Sequence, residues 1–211
     1  MSRYQVVIFD YGGVLTTPLQ DAMAAFSDEL GMELQDFVRI ALAAYTGEGD
    51  PLVVQFETGQ ISEEEFSSKF AARLSEAAGK EVDPKGLPGR VFSTIRLEEA
   101  MLEAVAAIRR AGLKTALLSN SWGLDFYPRE RFDELFDVVV ISGEVGLRKP
   151  DPAIFELTAE RLGVEPEVCV FVDDHPGHLQ AAGEQKMTTV LHRSPSDTIA
   201  ELESVLGIPL S

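Results

Sequence analysis

The chain reads as an α/β protein, a doubly wound, Rossmann-like parallel sheet core with an inserted all-helical cap. Five short aliphatic runs, at residues 4–9, 114–118, 137–141, 168–172 and 187–191, lack period-two alternation, as strands buried on both faces do. Helical patterns separate the later runs, and alternation of strand with helix builds a doubly wound sheet. The first two runs lie about a hundred residues apart, far more than the dozen or so that a crossover needs.

The long interval explains the cap. Residues 22–30, 34–44 and 63–78 carry apolar side chains at three-to-four spacing, and Ser62 with Glu65 forms a capping box ahead of the third stretch. Gly47-Glu48-Gly49-Asp50-Pro51 breaks this helical insertion, and Asp83-Pro84 with Leu87-Pro88-Gly89 marks its return to the sheet. The expected division is a core of residues 1–17 and 94–211 and a cap of residues 18–93. Residues 97–111, 152–162, 178–184 and 195–206 supply the helices between and after the later strands.

Charge narrows the partners. The 211 residues hold 18 Lys+Arg against 35 Asp+Glu, a net charge of −17, which repels nucleic acid and anionic membrane surfaces. The single cysteine, Cys169, cannot form an intramolecular disulfide and sits in an apolar run, which reads as core. No signal-like apolar region follows Met1 and no run nears the roughly 18 apolar residues of a membrane span, so a reduced, cytoplasmic, soluble protein is expected. A monomer and a homodimer are both compatible with the sequence.

Ligands of open α/β sheets bind beyond the carboxyl ends of the strands. There the sequence places Asp10-Tyr11-Gly12-Gly13, Ser119-Asn120, Arg148-Lys149-Pro150-Asp151 and Asp173-Asp174-His175. An Asp at a strand end often only caps a helix or forms a turn. Gathered together, however, Asp10, Asp173 and Asp174 repel one another unless a cation lies between them, and carboxylate oxygens suit Mg²⁺. Lys149 can balance the remaining charge and hold a phosphate.

These residues resemble the motifs of the haloacid dehalogenase-like hydrolases, in the branch whose helical cap follows the first core strand. Val6-Val7-Ile8-Phe9-Asp10-Tyr11-Gly12-Gly13-Val14-Leu15 is similar to the first motif, Leu117-Leu118-Ser119-Asn120 to the second, Gly146-Leu147-Arg148-Lys149-Pro150-Asp151-Pro152 to the third, and Val170-Phe171-Val172-Asp173-Asp174 to the fourth. The resemblance implies a phosphatase of small phosphorylated metabolites, with Asp10 as nucleophile forming an aspartyl-phosphate and Ser119 and Lys149 completing the catalytic set. It further implies phosphate contacts from Gly13, Ser119, Asn120 and Lys149. Mg²⁺ would be held by Asp10, the Gly12 carbonyl, Asp173 and Asp174.

One departure stands out, because family phosphatases usually carry a second Asp at the position occupied here by Gly12. That Asp protonates the leaving group and then activates water, help typically worth about 10²–10⁴-fold. Three readings follow: a substrate with an acidic leaving group, such as an anomeric sugar phosphate or an acyl phosphate; a substitute group such as His175 or His178; or a phosphate-binding or interaction module without useful turnover. The two histidines equally suit a helix start and an exposed face. The dehalogenases of the family place Tyr two residues after the nucleophile, whereas Tyr11 follows directly, and they need no metal. The cap says little about substrate: Glu48, Asp50 and residues 52–56 can either line the pocket or face elsewhere, and Trp122 can pack on a ligand or on the cap.

Overall fold

The computed structural model describes residues 3–42, 51–124 and 127–210. Five strands, β1 (Val6–Phe9), β2 (Lys114–Ser119), β3 (Val138–Ile141), β4 (Cys169–Asp173) and β5 (Thr188–Leu191), form one sheet. Its order is β3-β2-β1-β4-β5 and every pairing is parallel. Phe9 of β1 sits opposite Leu117 and Val172, and the Asp10 amide continues the ladder onto the Val172 carbonyl at 2.9 Å. The ends of β1, β2 and β4 therefore lie side by side at the middle of the sheet.

Between β1 and β2 the chain builds α1 (Leu19–Leu30), α2 (Leu34–Leu42), α3 (Pro51–Glu57), α4 (Glu63–Ala78) and α5 (Leu87–Val91). These pack around their own apolar cluster, in which the ring of Phe66 stacks on Phe56 at 4.0 Å and on Phe70 at 5.1 Å. Ser62 caps α4 as expected, accepting from the Glu65 amide at 3.1 Å, but the Glu65 carboxylate pairs with Lys69 at 2.5 Å. Leu87-Pro88-Gly89, expected at the return to the sheet, opens the short α5, because proline is tolerated in a first helical turn and Gly86 supplies the left-handed residue before it. Gly47, Glu48, Gly49 and Asp50 lie outside the described residues. Leu52, Val53 and Phe56 are buried in the helical cluster rather than aimed at a pocket.

Two connections join the layers. An antiparallel bridge pairs Thr16 with Leu97, and the Thr17 amide donates to the Arg96 carbonyl while that of Glu98 donates to Leu15, each at 2.9 Å. The remaining helices are α6 (Glu99–Arg110), α7 (Arg129–Leu135), α8 (Ser142–Val145), α9 (Pro152–Leu162), α10 (Pro176–Glu184) and α11 (Pro195–Leu206). Val7, Phe9, Leu117 and Val170 pack with α6 and α11, whereas Val6, Ile8, Ala116 and Phe171 pack with α9 and α10. Each strand thus alternates between two apolar faces, which is why its sequence lacks polar alternation. Cys169 belongs to one of these faces, and burial pushes its thiol up to about 11. Among the described residues, no helix is long and apolar enough to cross a membrane.

Candidate active site

Lys149 is fully buried, and its ammonium lies 2.8 Å from Asp10 Oδ1 and 2.7 Å from Asp173 Oδ2. The lysine reaches them because Asn120, at the end of β2, grips its backbone from both sides. The Asn120 Nδ2 donates to the Lys149 carbonyl at 2.9 Å, and the Lys149 amide donates to Asn120 Oδ1 at 2.8 Å. The Lys149–Pro150 peptide is cis, and Asp151 then caps α9 by accepting from the Ala153 amide at 2.9 Å. Burial opposes the Lys149 charge, but the two carboxylates outweigh it and hold the ammonium above its usual range.

The Asp10 carboxylate is oriented by a second donor, the Tyr11 amide, 2.7 Å from the same Oδ1. Burial pushes Asp10 up to about 8; Lys149 opposes this, while Asp173 and Asp174 reinforce it. Asp173 is held the other way: burial raises it, but Lys149 and His178 together bring it below the usual carboxylate range. Its Oδ1 also accepts the His175 amide at 2.8 Å. Asp174 is pushed up to about 6 by burial and by Asp173 beside it.

Asp10, Asp173 and Asp174 each offer an oxygen within 4.8 Å of the others. Three carboxylates against one ammonium leave an excess of negative charge, and the donor set is the all-oxygen kind that a hard divalent cation takes. Gly13 makes this closeness possible. Its φ of +79° is a left-handed conformation, and a Cβ there would meet Asp174 Oδ2 at 2.5 Å. The Gly13 amide itself donates to Thr16 Oγ1 at 2.9 Å.

Ser119 also reaches this edge, its Oγ 2.9 Å from the Tyr127 hydroxyl. The Asn120 side chain is committed at both ends to Lys149. The two histidines divide. Both line the cavity, but His175 caps α10, whereas His178 is buried, not on an exposed face, with Nδ1 3.1 Å from both oxygens of Asp173. Burial pushes His178 down to about 4, so it is neutral at pH 7.

Position 12 is occupied from the cap side. A Cβ on Gly12 would lie 2.9 Å from Leu19 Cδ1, at the first turn of α1. The site opens into a cavity of about 370 Å³ lined on the sheet side by Asp10, Lys149, Asp174 and His175 and on the helical side by Leu19 and Met23.

Two residues that no sequence motif singles out complete the surroundings. Glu57, at the end of α3, is fully buried; its carboxylate takes the Trp122 indole at 3.0 Å and the Arg148 guanidinium at 2.8 Å. Trp122 meanwhile sets its ring edge-on to Phe66, Phe70 and Phe92, so it packs into the helical cluster. Tyr127, behind Ser119, is the other. The Glu57 contacts cross long sequence separations and leave no local signal, whereas Tyr127 lies only eight residues from Ser119.

Known proteins agree with this arrangement. Acyl-CoA dehydrogenase family member 10 of Mus musculus is 34% identical over 98% of this chain, which spans 20% of that protein's length. The chain likewise spans 39% of the length of bifunctional epoxide hydrolase 2 of Sus scrofa. A phosphorylated carbohydrates phosphatase of Thermotoga maritima is 29% identical over 95% of this chain and 91% of its own. Among solved structures, a magnesium complex of a Bacteroides thetaiotaomicron enzyme of the family superposes with a TM-score of 0.64 at 22% identity, covering 91% of this chain and 94% of that one. The family model for haloacid dehalogenase-like hydrolases matches residues 4–184, from the first strand through α10, and with the sheet order and the strand-end site it shows that the chain belongs to that family.

Proposed function

We propose that the protein is a Mg²⁺-dependent phosphohydrolase of small phosphorylated metabolites, working through an aspartyl-phosphate on Asp10. The observation that carries this reading is the buried Lys149 ammonium shared by Asp10 and Asp173 at 2.8 and 2.7 Å, with Asp174 beside them. With a divalent cation among the three carboxylates, that charge and the Lys149 ammonium would match a dianionic phosphoryl group. The named phosphatase relative supports the same chemistry. Residues 18–93 are proposed as the cap that closes over the site and residues 1–17 and 94–211 as its core.

In this reading Asp10 attacks phosphorus while the ester P–O bond breaks and its electron pair leaves on the alcohol oxygen. Water then attacks the aspartyl-phosphate, returning Asp10 and releasing inorganic phosphate. The Tyr11 amide and Lys149 hold the carboxylate in one orientation for attack, a positioning effect. Lys149 and the Ser119 hydroxyl stabilise the phosphoryl oxygens as charge shifts onto them. Asp10, Asp174 and the Gly12 carbonyl would hold Mg²⁺, with Asp173 beside or behind them. When bound, the cation supplies charge neutralisation at the phosphoryl group.

Phosphate release from a panel of phosphorylated metabolites, measured with Mg²⁺ or chelator and with Asp10→Asn beside the parent protein, tests this. Release that needs both Mg²⁺ and Asp10 is expected. Release that persists in chelator or in Asp10→Asn would refute it.

A further inference from the structure

A second cavity, of about 170 Å³, adjoins the first. The two share Gly12, Leu19, Asn120 and Trp122 in their linings. The second is different in kind. Its walls are Phe92, Ile95, Leu97, Leu19 and Trp122 together with a few polar side chains, most of which already make hydrogen bonds within the protein. Thr16 accepts from Gly13 and donates to the Thr17 carbonyl; the Ser119 and Tyr127 hydroxyls bond each other. The Trp122 indole is held by Glu57 and the Asn120 carboxamide by Lys149. Among the described residues, no Asp, Glu, Lys, Arg or His lines it, and burial pushes the Tyr11 hydroxyl up to about 12, which keeps that residue neutral.

Size and chemistry then point to the same kind of group. An apolar cavity of about 150 Å³ admits benzene, and this one is slightly larger at about 170 Å³. A polyol would bring hydroxyls to walls that are largely apolar and most of whose polar atoms already have partners, at a desolvation cost. The leaving group must also depart without an acid at position 12, where Gly12 has no side chain and Leu19 stands over it. A phenol, with a pKa of about 10 like that of tyrosine, leaves as its anion far more readily than an aliphatic alcohol does.

We infer that the substrate is a small aryl phosphate monoester, its phosphoryl group beside Asp10 and its ring in the uncharged cavity; this rests on the phosphohydrolase reading above. Asp10 bonds to phosphorus, the aryl P–O bond breaks with its electron pair on the phenolate oxygen, and the phenolate takes up a proton released when water hydrolyses the aspartyl-phosphate.

The test is kcat/KM, with Mg²⁺, for phenyl, 4-methylphenyl and 4-carboxyphenyl phosphates and for glycerol phosphate. The carboxylate makes the phenolate a better leaving group, so chemistry alone would favour the 4-carboxyphenyl ester. The cavity predicts the reverse: the methyl compound exceeds phenyl phosphate by up to about 4-fold, the worth of one buried carbon. The carboxylate falls at least about tenfold below phenyl phosphate, and glycerol phosphate lower still. Ile95→Lys should move the carboxylate-to-methyl ratio upward by about tenfold or more, a ratio that partial misfolding leaves unchanged. Preference for the carboxylate or for glycerol phosphate in the parent protein, or an unmoved ratio in I95K, would overturn the inference and leave the phosphohydrolase reading standing. Silence with every ester, from folded protein that binds Mg²⁺, would overturn both.

Discussion

Glu57 Oε2 lies 2.8 Å from Arg148 Nε, joining the end of α3 in the helical layer to the residue before Lys149. The same carboxylate holds Trp122, two residues beyond Asn120. The Glu57 carbonyl accepts from Ser142 Oγ at 2.5 Å, and that oxygen accepts from the Ser121 amide at 2.8 Å. One buried residue of the helical layer thus touches the loops that carry Ser119, Asn120 and Lys149.

Glu57→Ala should destabilise the protein by about 3 kcal/mol or more, because it leaves a largely buried guanidinium without its carboxylate. Glu57→Gln keeps the hydrogen bond to Trp122 and should lose less. Chemical denaturation of both variants checks the order, and equal losses would show that the ion pair contributes nothing beyond shape.

An acid can be restored at position 12. A Gly12→Asp Cβ comes within 3 Å only of a terminal methyl of Leu19, which can turn aside, so the variant should raise kcat on phosphates of aliphatic alcohols by about tenfold or more, towards the range of general acid catalysis. Unchanged kcat in folded G12D would contradict the role assigned to the missing acid.

Gly13→Ala places a methyl group against the Asp174 carboxylate at a residue with φ of +79°. Strain of roughly 1–3 kcal/mol is expected, together with weaker Mg²⁺ binding, measurable by calorimetry on the folded variant. Unchanged affinity would separate Asp174 from the cation.

Cys169 should ignore a thiol reagent at pH 8 in the native protein, since it is buried and burial pushes its thiol up to about 11. In denaturant it should react at once. Fast labelling of native protein would mean that β4 opens readily.

The parallel sheet and the strand-end motifs were legible because each signal is local: an aliphatic run, then a carboxylate, hydroxyl or lysine. Helices α9 and α11 carry enough turns to show their period and begin with proline, and both match the expected ranges. Helices α7 and α8 span seven and four residues, too few for a period to emerge. Burial of His178 was not legible, because its surroundings are Asp173 and the packed face of α10 rather than anything in the flanking sequence. For the same reason nothing in the sequence singles out Glu57 among the 35 acidic residues, although the fold buries it completely.

Acid-quenched mass spectrometry during turnover of phenyl phosphate with Mg²⁺ tests the central claim most directly. With no carboxylate at position 12 to activate water, the intermediate should accumulate, giving a phosphate adduct mapped to Asp10 that is missing in Asp10→Asn and in chelator. Sustained turnover with no adduct on Asp10, or undiminished turnover in Asp10→Asn, would contradict covalent catalysis at this residue.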